Sequence, residues 1–181
     1  MRMVSAALFH SLDGVVESPH LWQFDRFDDD LGNAMNAAIA DTDTVVLGRV
    51  TYEQWAGYWP TSSGDDFADF INPVEKLVAS RSLRGELAWE NARLVDGDLE
   101  AAVRELKQRD GAGIMVCGSI SVVRQLLFAG LLDSLTLMTH PVIAGSGRRL
   151  FETGDPLTRL ELVDARRTSS GNTVATYTRG R

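Results

Sequence analysis

The chain has 181 residues, of which 44% are hydrophobic and 24% are charged, and its formal net charge is −7. This composition is typical of a soluble globular protein, and the length suits one domain over residues 1–181. The acidic charge and the absence of a Lys/Arg cluster argue against nucleic-acid binding. The longest apolar stretches have the length of a strand, well short of the ~20 residues that cross a bilayer, so we expect no membrane contact.

The single cysteine, Cys117, excludes an intrachain disulfide and a multi-cysteine zinc site. Its apolar neighbours predict a buried, inert thiol. The three histidines, His10, His20 and His140, have no metal-ligand spacing between them, so we predict no metal site. Because the N-terminal segment lacks the apolar core and cleavage site of a signal peptide, we expect a cytoplasmic protein.

The first half of the chain alternates strand and helix patterns. Residues 4–10 predict a strand ended by an Asp-Gly turn, and residues 15–30 predict a long loop with many aromatic and acidic side chains. From Leu31, apolar residues at i, i+3, i+4, i+7 and i+8 predict an amphipathic helix, with Asp28 to Asp30 at its N-terminus. The elements predicted next are a buried strand at 44–48, a short helix or turn at 51–59, a loop at 61–66, a break at Pro73 and a strand at 76–80.

The second half continues the alternation and ends in a hairpin. The elements predicted there are extended segments at 88–95, a helix behind Asp98, a strand at 113–117, an apolar helix at 121–132, a strand at 134–143 and hairpin strands at 159–168 and 173–178. Strands that alternate with helices form parallel sheets covered on both faces. We therefore predict an α/β fold with three α/β/α layers, a mixed, mainly parallel central sheet and a C-terminal antiparallel hairpin.

Residues suited to a phosphorylated ligand follow four of the predicted strands. The strand ends read Ser11-Leu12-Asp13-Gly14, Gly48-Arg49-Val50-Thr51, Ser80-Arg81-Ser82 and Gly118-Ser119-Ile120-Ser121. Ligands of open α/β sheets bind at these carboxyl ends, where guanidinium groups and helix N-termini hold phosphate oxygens. Each element alone also has a plain structural explanation. Gly48 could simply end a strand in a turn, Arg49 could be a solvated surface charge, and Gly118-Ser119 could be an ordinary helix cap.

Five segments of the chain together resemble a known superfamily. They are HSLDGVV, VVLGRVTYE, KLVASRSL, IMVCGSISVVRQLL and LLDSLTLMTHPVIAGSGRRLF. In order and spacing they resemble the dihydrofolate-reductase-like superfamily, in particular the reductase domain of bifunctional riboflavin-biosynthesis enzymes (the RibD C-terminal domain) and its stand-alone bacterial members. The similarity covers nearly the whole chain. It implies the dihydrofolate-reductase-like form of the predicted fold.

The resemblance implies that the cofactor is NADPH. At the matching positions, Gly48, Arg49 and Thr51 would hold the phosphates on the adenosine side. Ser80 and Arg81 would lie near the ribose 2′-phosphate and would give a preference for NADPH over NADH.

Two further glycine-containing segments match the cofactor site of the family. Gly118, Ser119 and Ile120 would bind the pyrophosphate at a helix N-terminus, where the helix dipole favours an anion. Gly145 and Gly147 match a glycine loop near the cofactor. Gly145-Ser146-Gly147 also looks like the start of a dinucleotide fingerprint but lacks its third glycine, so it fails as a Rossmann signature.

The chemistry implied is hydride transfer to a polarised C=O or C=N carbon of a small heterocyclic or carbonyl substrate. Asp13 is the candidate catalytic residue, which would orient substrate or nicotinamide or relay a proton; the alternative is a turn-forming aspartate before Gly14. Trp22, Phe24 and Trp55 are predicted to line a flat substrate pocket. Their alternative is ordinary packing in the core and lid.

The chain departs from both well-known members of the superfamily. A folate reductase has a substrate-binding carboxylate where this chain has Gly32, with Asp30 the nearest acid, and the zinc deaminase half of a bifunctional enzyme is absent. A non-catalytic protein that binds NADPH or a small ligand on the same fold is therefore the alternative function. A homodimer is expected from the resemblance, and the apolar residues 126–138 could serve either its interface or the core.

Overall fold

In a computed structural model that describes residues 1–64 and 66–180, strands and helices alternate as the sequence predicts. The strands are β1 (Val4–Ser11), β2 (Thr42–Gly48), β3 (Glu75–Ala79), β4 (Ala92–Leu94), β5 (Gly113–Cys117), β6 (Ser134–His140), β7 (Leu160–Arg167) and β8 (Thr173–Arg179). The α-helices are α1 (Asp29–Ile39), α2 (Arg49–Ala56), α3 (Asp66–Ile71), α4 (Leu99–Gln108) and α5 (Ile120–Phe128). The loop predicted at 61–66 includes Asp65, which lies outside the described residues.

The strands form one eight-stranded sheet in the order β4-β3-β2-β5-β1-β6-β8-β7. From β4 to β6 all neighbours are parallel, whereas β8 pairs antiparallel with both β6 and β7. The mixed sheet and the C-terminal hairpin are thus confirmed. Because the carboxyl ends of parallel strands lie at one edge of a sheet, the loops that follow β2, β3 and β5 meet there.

Helices cover both faces of the sheet because the side chains of each strand alternate between them. In β2, Val46 packs into the cluster that contains residues of α4 and α5, whereas Val45 and Leu47 pack with α2 and α3 on the opposite face. The apolar segment 126–138 fills the first of these clusters within the single chain. A homodimer therefore stays a prediction that rests on the family resemblance alone. None of the helices in the described part of the chain is long and apolar enough to cross a membrane.

Two predicted elements have different bounds in the structure. The strand predicted to reach Ile143 ends at His140, because Pro141 has no N–H to continue the ladder and Val142 N donates back to the His140 carbonyl. The long loop predicted at 15–30 contains two single-turn 3₁₀-helices, Pro19–Leu21 and Phe24–Arg26. Proline fixes φ and lacks an N–H, which favours a helical turn at its first position.

The hairpin turn between β7 and β8 is fastened to the start of α1 by carboxylates. Asp28 is the N-cap of α1 and accepts a hydrogen bond from Leu31 N (2.9 Å), as the sequence predicts. Its second oxygen accepts one from Ser170 N (2.6 Å), and Asp30 accepts two from Ser169. Burial opposes ionisation of Asp28, but these hydrogen bonds outweigh it and lower its pKa to about 2.

Replacing Asp28 with Asn should destabilise the protein in a pH-dependent way. Because the pKa of Asp28 is lower in the folded protein than in the unfolded chain, the ionised carboxylate stabilises the fold. This stabilisation is fully present above the unfolded-state pKa near 4 and is lost as the pH falls through the folded-state pKa of about 2. At pH 7 we expect Asp28→Asn to unfold more easily by about 1 kcal/mol, because an amide offers one acceptor where two are used. Urea denaturation at pH 7 and near pH 2 measures the difference, which should shrink at low pH.

The exposed neighbour Asp29 provides the matched control for this experiment. Asp29→Asn removes the same charge from the first turn of α1 and should cost less than about 0.5 kcal/mol through the helix dipole. Equal losses in the two variants would contradict the role given to Asp28.

Candidate functional site

A cavity of about 1560 Å³ opens at the carboxyl edge of the sheet. The loops after β2, β3 and β5 and the segment before α4 line one part of it, which we call the phosphate rim and define as residues 48–51, 80–82, 97–99 and 118–122. Register explains their proximity, since Gly48 at the end of β2 pairs with Ala79 at the end of β3. The joint placement of three predicted strand ends is therefore present in the structure.

A single hydroxyl joins the β2–α2 junction to the β5–α5 junction. The Gly48 amide donates to Ser119 Oγ (2.7 Å), and this hydroxyl lies within hydrogen-bond distance of Thr51 Oγ1 (2.9 Å) and the Cys117 carbonyl (3.0 Å). Ser119 is buried. The contact holds the first turns of α2 and α5 side by side at the rim.

Two glycines allow this close approach. A Cβ added to Gly48 would lie 3.4 Å from Ser119 Cβ and from Val122 Cγ2. Gly118 has a φ of +61°, and a Cβ there would lie 3.2 Å from both Thr51 Cγ2 and Trp55 Cζ2. A side chain at Gly118 would be both strained and tightly packed, whereas one at Gly48 would only just fit against Ser119 and Val122.

Two of the helices that begin at the rim, α2 and α5, differ from α1 and α4 in how their N-termini are capped. Asp28 and Asp98 cap α1 and α4 with side-chain hydrogen bonds. By contrast, α2 begins after Gly48 and α5 after Ser119 without a side-chain cap. The first N–H groups of these two helices, together with the positive ends of their dipoles, are thus available to an anion in the cavity.

Arg49 is the first residue of α2 and lines the rim. Its guanidinium donates to the Glu53 carboxylate one helical turn later (2.7 Å), and both side chains are close to half exposed. Such an exposed pair contributes little to stability, so Arg49 can exchange this partner for a phosphate at low cost.

Ser80 and Arg81 follow β3 and also line the cavity. Ser80 Oγ accepts hydrogen bonds from the Ser82 and Leu83 amides (3.2 and 2.9 Å), which fix the turn. Arg81 is exposed, and it takes part in none of the ion pairs that form within residues 1–64 and 66–180. The turn therefore presents an available cation at the rim.

The other part of the cavity is walled by apolar rings and chains, and we call it the aromatic pocket. It is formed by Phe9, Phe24, Phe27, Met35, Trp55, Phe67 and Met138. Trp55 contacts Phe67 edge to face with ring centroids 5.5 Å apart, and the rings of Phe9 and Phe27 lie 6.2 Å apart. Phe24 is 67% exposed at the opening. The pocket thus has flat walls suited to a planar molecule.

Some predicted site residues lie beside the cavity. The described lining does not include Asp13, Gly145 or Gly147. Asp13 instead accepts hydrogen bonds from the amides of Ala144 (2.9 Å) and Gly145 (3.1 Å). The Ser11 hydroxyl, followed by these amides, lowers the pKa of Asp13 to about 2, so this carboxylate is ionised at neutral pH and cannot donate a proton.

The glycine loop has a packing role that the sequence pattern does not reveal. A Cβ on Gly147, whose φ is +110°, would lie 2.8 Å from Val15 Cγ1. Gly147 and Trp22 line a separate cavity of about 310 Å³, and Trp22 also contacts the buried His140 edge to face at 5.6 Å. Of the predicted substrate residues, Phe24 and Trp55 line the large cavity and Trp22 lines the small one.

Sequence patterns missed several residues of the aromatic pocket. Phe9 and Met138 point to the same face of adjacent strands, where they pair directly in register, and strict alternation along β1 could have identified Phe9. Gln23, buried in the wall near Phe24, had no sequence signal, because a glutamine in a loop is ordinarily exposed.

Cys117 also lines the cavity. Burial raises the pKa of its thiol to about 12, which agrees with the inert thiol that the sequence predicts.

Known proteins are similar to this chain over nearly its whole length. The uncharacterized protein YyaP of Bacillus subtilis (strain 168) is 28% identical, with 97% of this chain and 94% of YyaP covered. A putative riboflavin biosynthesis protein from Shewanella sp. PV-4 has a TM-score of 0.81 at 18% identity, covering 99% of both chains. Dihydrofolate reductase from Enterococcus faecalis, complexed with NADP(H), has a TM-score of 0.66 at 17% identity, covering 99% of this chain and 97% of the reductase.

These structural similarities confirm the dihydrofolate-reductase-like fold that the sequence segments predict. The model of the RibD C-terminal domain family matches residues 2–174. A diaminohydroxyphosphoribosylaminopyrimidine deaminase/5-amino-6-(5-phosphoribosylamino)uracil reductase from Thermotoga maritima has a TM-score of 0.68 at 17% identity, covering 99% of this chain and 57% of that protein. The chain belongs to the RibD C-terminal domain family.

Proposed function

We propose that this protein is an NADPH-dependent reductase that transfers a hydride to a small heterocyclic or carbonyl substrate. One observation carries the proposal: two helix N-termini without side-chain caps and two arginines border the same cavity as an uncharged aromatic pocket. The helix N-termini and the arginines suit a dinucleotide with an extra phosphate, and the aromatic pocket suits a planar ring beside it.

The residues at the rim fit the proposed cofactor. The N–H groups that begin α5, at Ile120 and Ser121, would hold the pyrophosphate. Arg49 and the start of α2 would hold the adenosine-side phosphate. Arg81 would face the ribose 2′-phosphate, with Ser80 fixing the turn that carries it.

The protein supplies position and exclusion of water to the proposed reaction. When bound, the dihydronicotinamide supplies a hydride to an electrophilic carbon, and a proton from water completes the reduction at the adjacent oxygen or nitrogen. The aromatic pocket would hold the acceptor flat against the cofactor. Asp13, ionised and bonded to Ala144 and Gly145, would position the glycine loop and leave proton transfer to water.

Turnover is tested by NADPH oxidation, followed at 340 nm, across pterins, ribityl pyrimidines, quinones and aldehydes. We expect oxidation that depends on both the protein and an acceptor, with saturation in NADPH. Reactions without protein provide the control. Tight NADPH binding without oxidation by any acceptor would instead support the non-catalytic binding protein.

Removing Arg81 should weaken NADPH binding without affecting NADH binding. Only NADPH carries the 2′-phosphate, so we expect Arg81→Ala to lower NADPH affinity about tenfold, the usual effect of one charged hydrogen bond at a partly exposed site. Isothermal titration calorimetry with both cofactors measures the preference. Arg93→Ala, which removes an exposed arginine on β4 outside the cavity lining, should leave both affinities unchanged. Equal NADPH and NADH affinities in the unmodified protein would contradict this role.

Arg49 and Glu53 should have opposite effects on cofactor binding. Arg49→Ala removes a phosphate contact and should weaken both NADPH and NADH by about 1.5 kcal/mol, the lower end for a charged hydrogen bond because the site is half exposed. Glu53→Gln removes the competing carboxylate and should strengthen binding of both. The same titrations measure both effects, and weaker binding to Glu53→Gln would show that the pair acts as a structural unit.

A further inference from the structure

One segment forms an outer wall of the large cavity with few bonds to the rest of the fold. We call residues 17–27 the strap, which contains both single-turn helices and leads into α1. Its residues 17–20, 23, 24 and 27 line the large cavity. Within the described residues, one hydrogen bond joins positions 18–27 to residues outside the strap, from the Asn172 side-chain amide to the Arg26 carbonyl (2.7 Å). The strap therefore depends mainly on side-chain packing to stay in place.

The strap packs on the ring of His140, the last residue of β6. This imidazole contacts Trp22 of the strap and Phe9 of β1 edge to face, with ring centroids 5.6 and 5.8 Å away. Phe9 lines the large cavity and Trp22 lines the small one. His140 is fully buried, and neither of its ring nitrogens has a hydrogen-bond partner among the described residues. A polar ring thus occupies a position where an apolar ring would lose nothing.

The buried side-chain polar atoms without a partner, in the part of the chain that the structure describes, all lie in the strap or against it. They are both ring nitrogens of His140, the amide oxygen of Gln23 and the amide oxygen of Asn172. Each such atom has lost its hydrogen bonds to water without replacing them, which is unfavourable. Release of the strap would admit water to these atoms. The closed strap is therefore less stable than the ring contacts alone would make it.

The charged groups around His140 do not keep a proton on it while the strap is closed. Burial lowers the pKa of His140, and Asp25 and Asp28, the acids that face it, oppose this shift without cancelling it. Asp25 is exposed and lies 3.8 Å from the Arg26 guanidinium, so solvent and this cation weaken its field. Both oxygens of Asp28 already accept hydrogen bonds from backbone amides.

The titratable neighbour on the β1 side is a second histidine. His10 Nδ1 lies 3.4 Å from the hydroxyl of Thr139, the residue before His140. Burial lowers the pKa of His10, and Asp13 opposes this shift. At neutral pH both rings are therefore neutral in the closed structure.

We propose that His140 is a proton-sensitive latch, whose neutral ring holds the strap closed over the aromatic pocket and whose protonation releases it. This regulation concerns access to the large cavity and does not depend on which molecule the cavity binds.

The direction of the response follows from the two states of the strap. When the strap is open, water reaches the imidazole and the pKa of His140 returns to its ordinary value near 6.5. When the strap is closed, the pKa is lower. As the pH falls below about 6.5, the open state gains a proton that the closed state does not, so the ratio of open to closed rises up to about tenfold per pH unit. Above this range the ring is neutral in both states and the ratio is constant.

Fluorine NMR of the full chain labelled with 5-fluorotryptophan tests the latch. The chain has four tryptophans, and Trp22→Phe assigns the resonance of Trp22. Between about pH 8 and about pH 5 we expect this resonance to move from a buried to a solvent-exposed position, with a midpoint below about 6.5. The resonance of Trp89, which is buried in the cluster beneath α2 and α3, should stay unchanged because the rest of the fold remains intact.

A neutral gadolinium chelate in the same sample measures access to the aromatic pocket. The chelate broadens the resonances of rings that it can approach. Trp22 and the pocket residue Trp55 should broaden more at the acidic end of the titration than at the alkaline end. Trp89 should broaden equally little at both ends.

Variants identify the group that takes up the proton. His140→Phe keeps an aromatic ring against Trp22 and Phe9 but cannot be protonated, so its Trp22 resonance should stay in the buried position throughout. His140→Met gives the same test should the phenylalanine variant fail to fold. His10→Gln and His20→Gln remove the other two histidines of the chain, and each should keep the full response with the same midpoint.

Four results would overturn the latch. A Trp22 resonance that stays buried throughout the titration of the unmodified protein would do so, as would one that still moves in His140→Phe. Movement of Trp89 together with Trp22 would show unfolding of the whole chain, and loss of the response in His10→Gln or His20→Gln would assign the proton to another ring. Broadening of Trp22 without Trp55 would contradict the control of access to the pocket.

Discussion

The geometry of the site depends on one hydroxyl. Ser119 accepts a hydrogen bond from the Gly48 amide and contacts the Thr51 hydroxyl, so it connects two strand-to-helix junctions that are 71 residues apart along the chain. The close approach is favoured by Gly118, whose positive φ and tight contacts with Thr51 and Trp55 leave little room for a side chain. As a result two helix N-termini open at one rim, and their N–H groups and dipoles favour an anion there.

An acidic chain can hold such a rim because many of its carboxylates are occupied elsewhere. Asp28 caps α1, Asp30 binds the hairpin turn, and Asp13 accepts hydrogen bonds from the amides of the glycine loop. Asp98 is the acid that lies at the rim itself, where its side chain caps α4. Fixed hydrogen bonds of this kind keep the negative charges in defined places. The local field at the rim is therefore set by helix ends and arginines, even though the net charge of −7 is unfavourable for a polyanion at long range.

The parts of the fold that sequence predicted are those controlled by local chemistry. Apolar runs identified the strands, and Asp28 and Asp98 identified two helix starts, because strand periodicity and capping act within a few residues. Gly147 packs against Val15 in the loop after β1, and these two residues are 132 positions apart in the sequence. Gln23 is likewise buried although it lies in a loop segment. Neither leaves a periodic or spacing signal, so only the folded chain reveals them.

The two ends of the cavity differ in what builds them. The rim is made chiefly of backbone N–H groups, glycines and helix ends, which depend on the fold more than on the chemistry of individual side chains. The aromatic pocket is made of side chains, so each substitution changes its shape or polarity. A substitution of one of these side chains would alter which molecule is bound and leave the sheet and the rim intact.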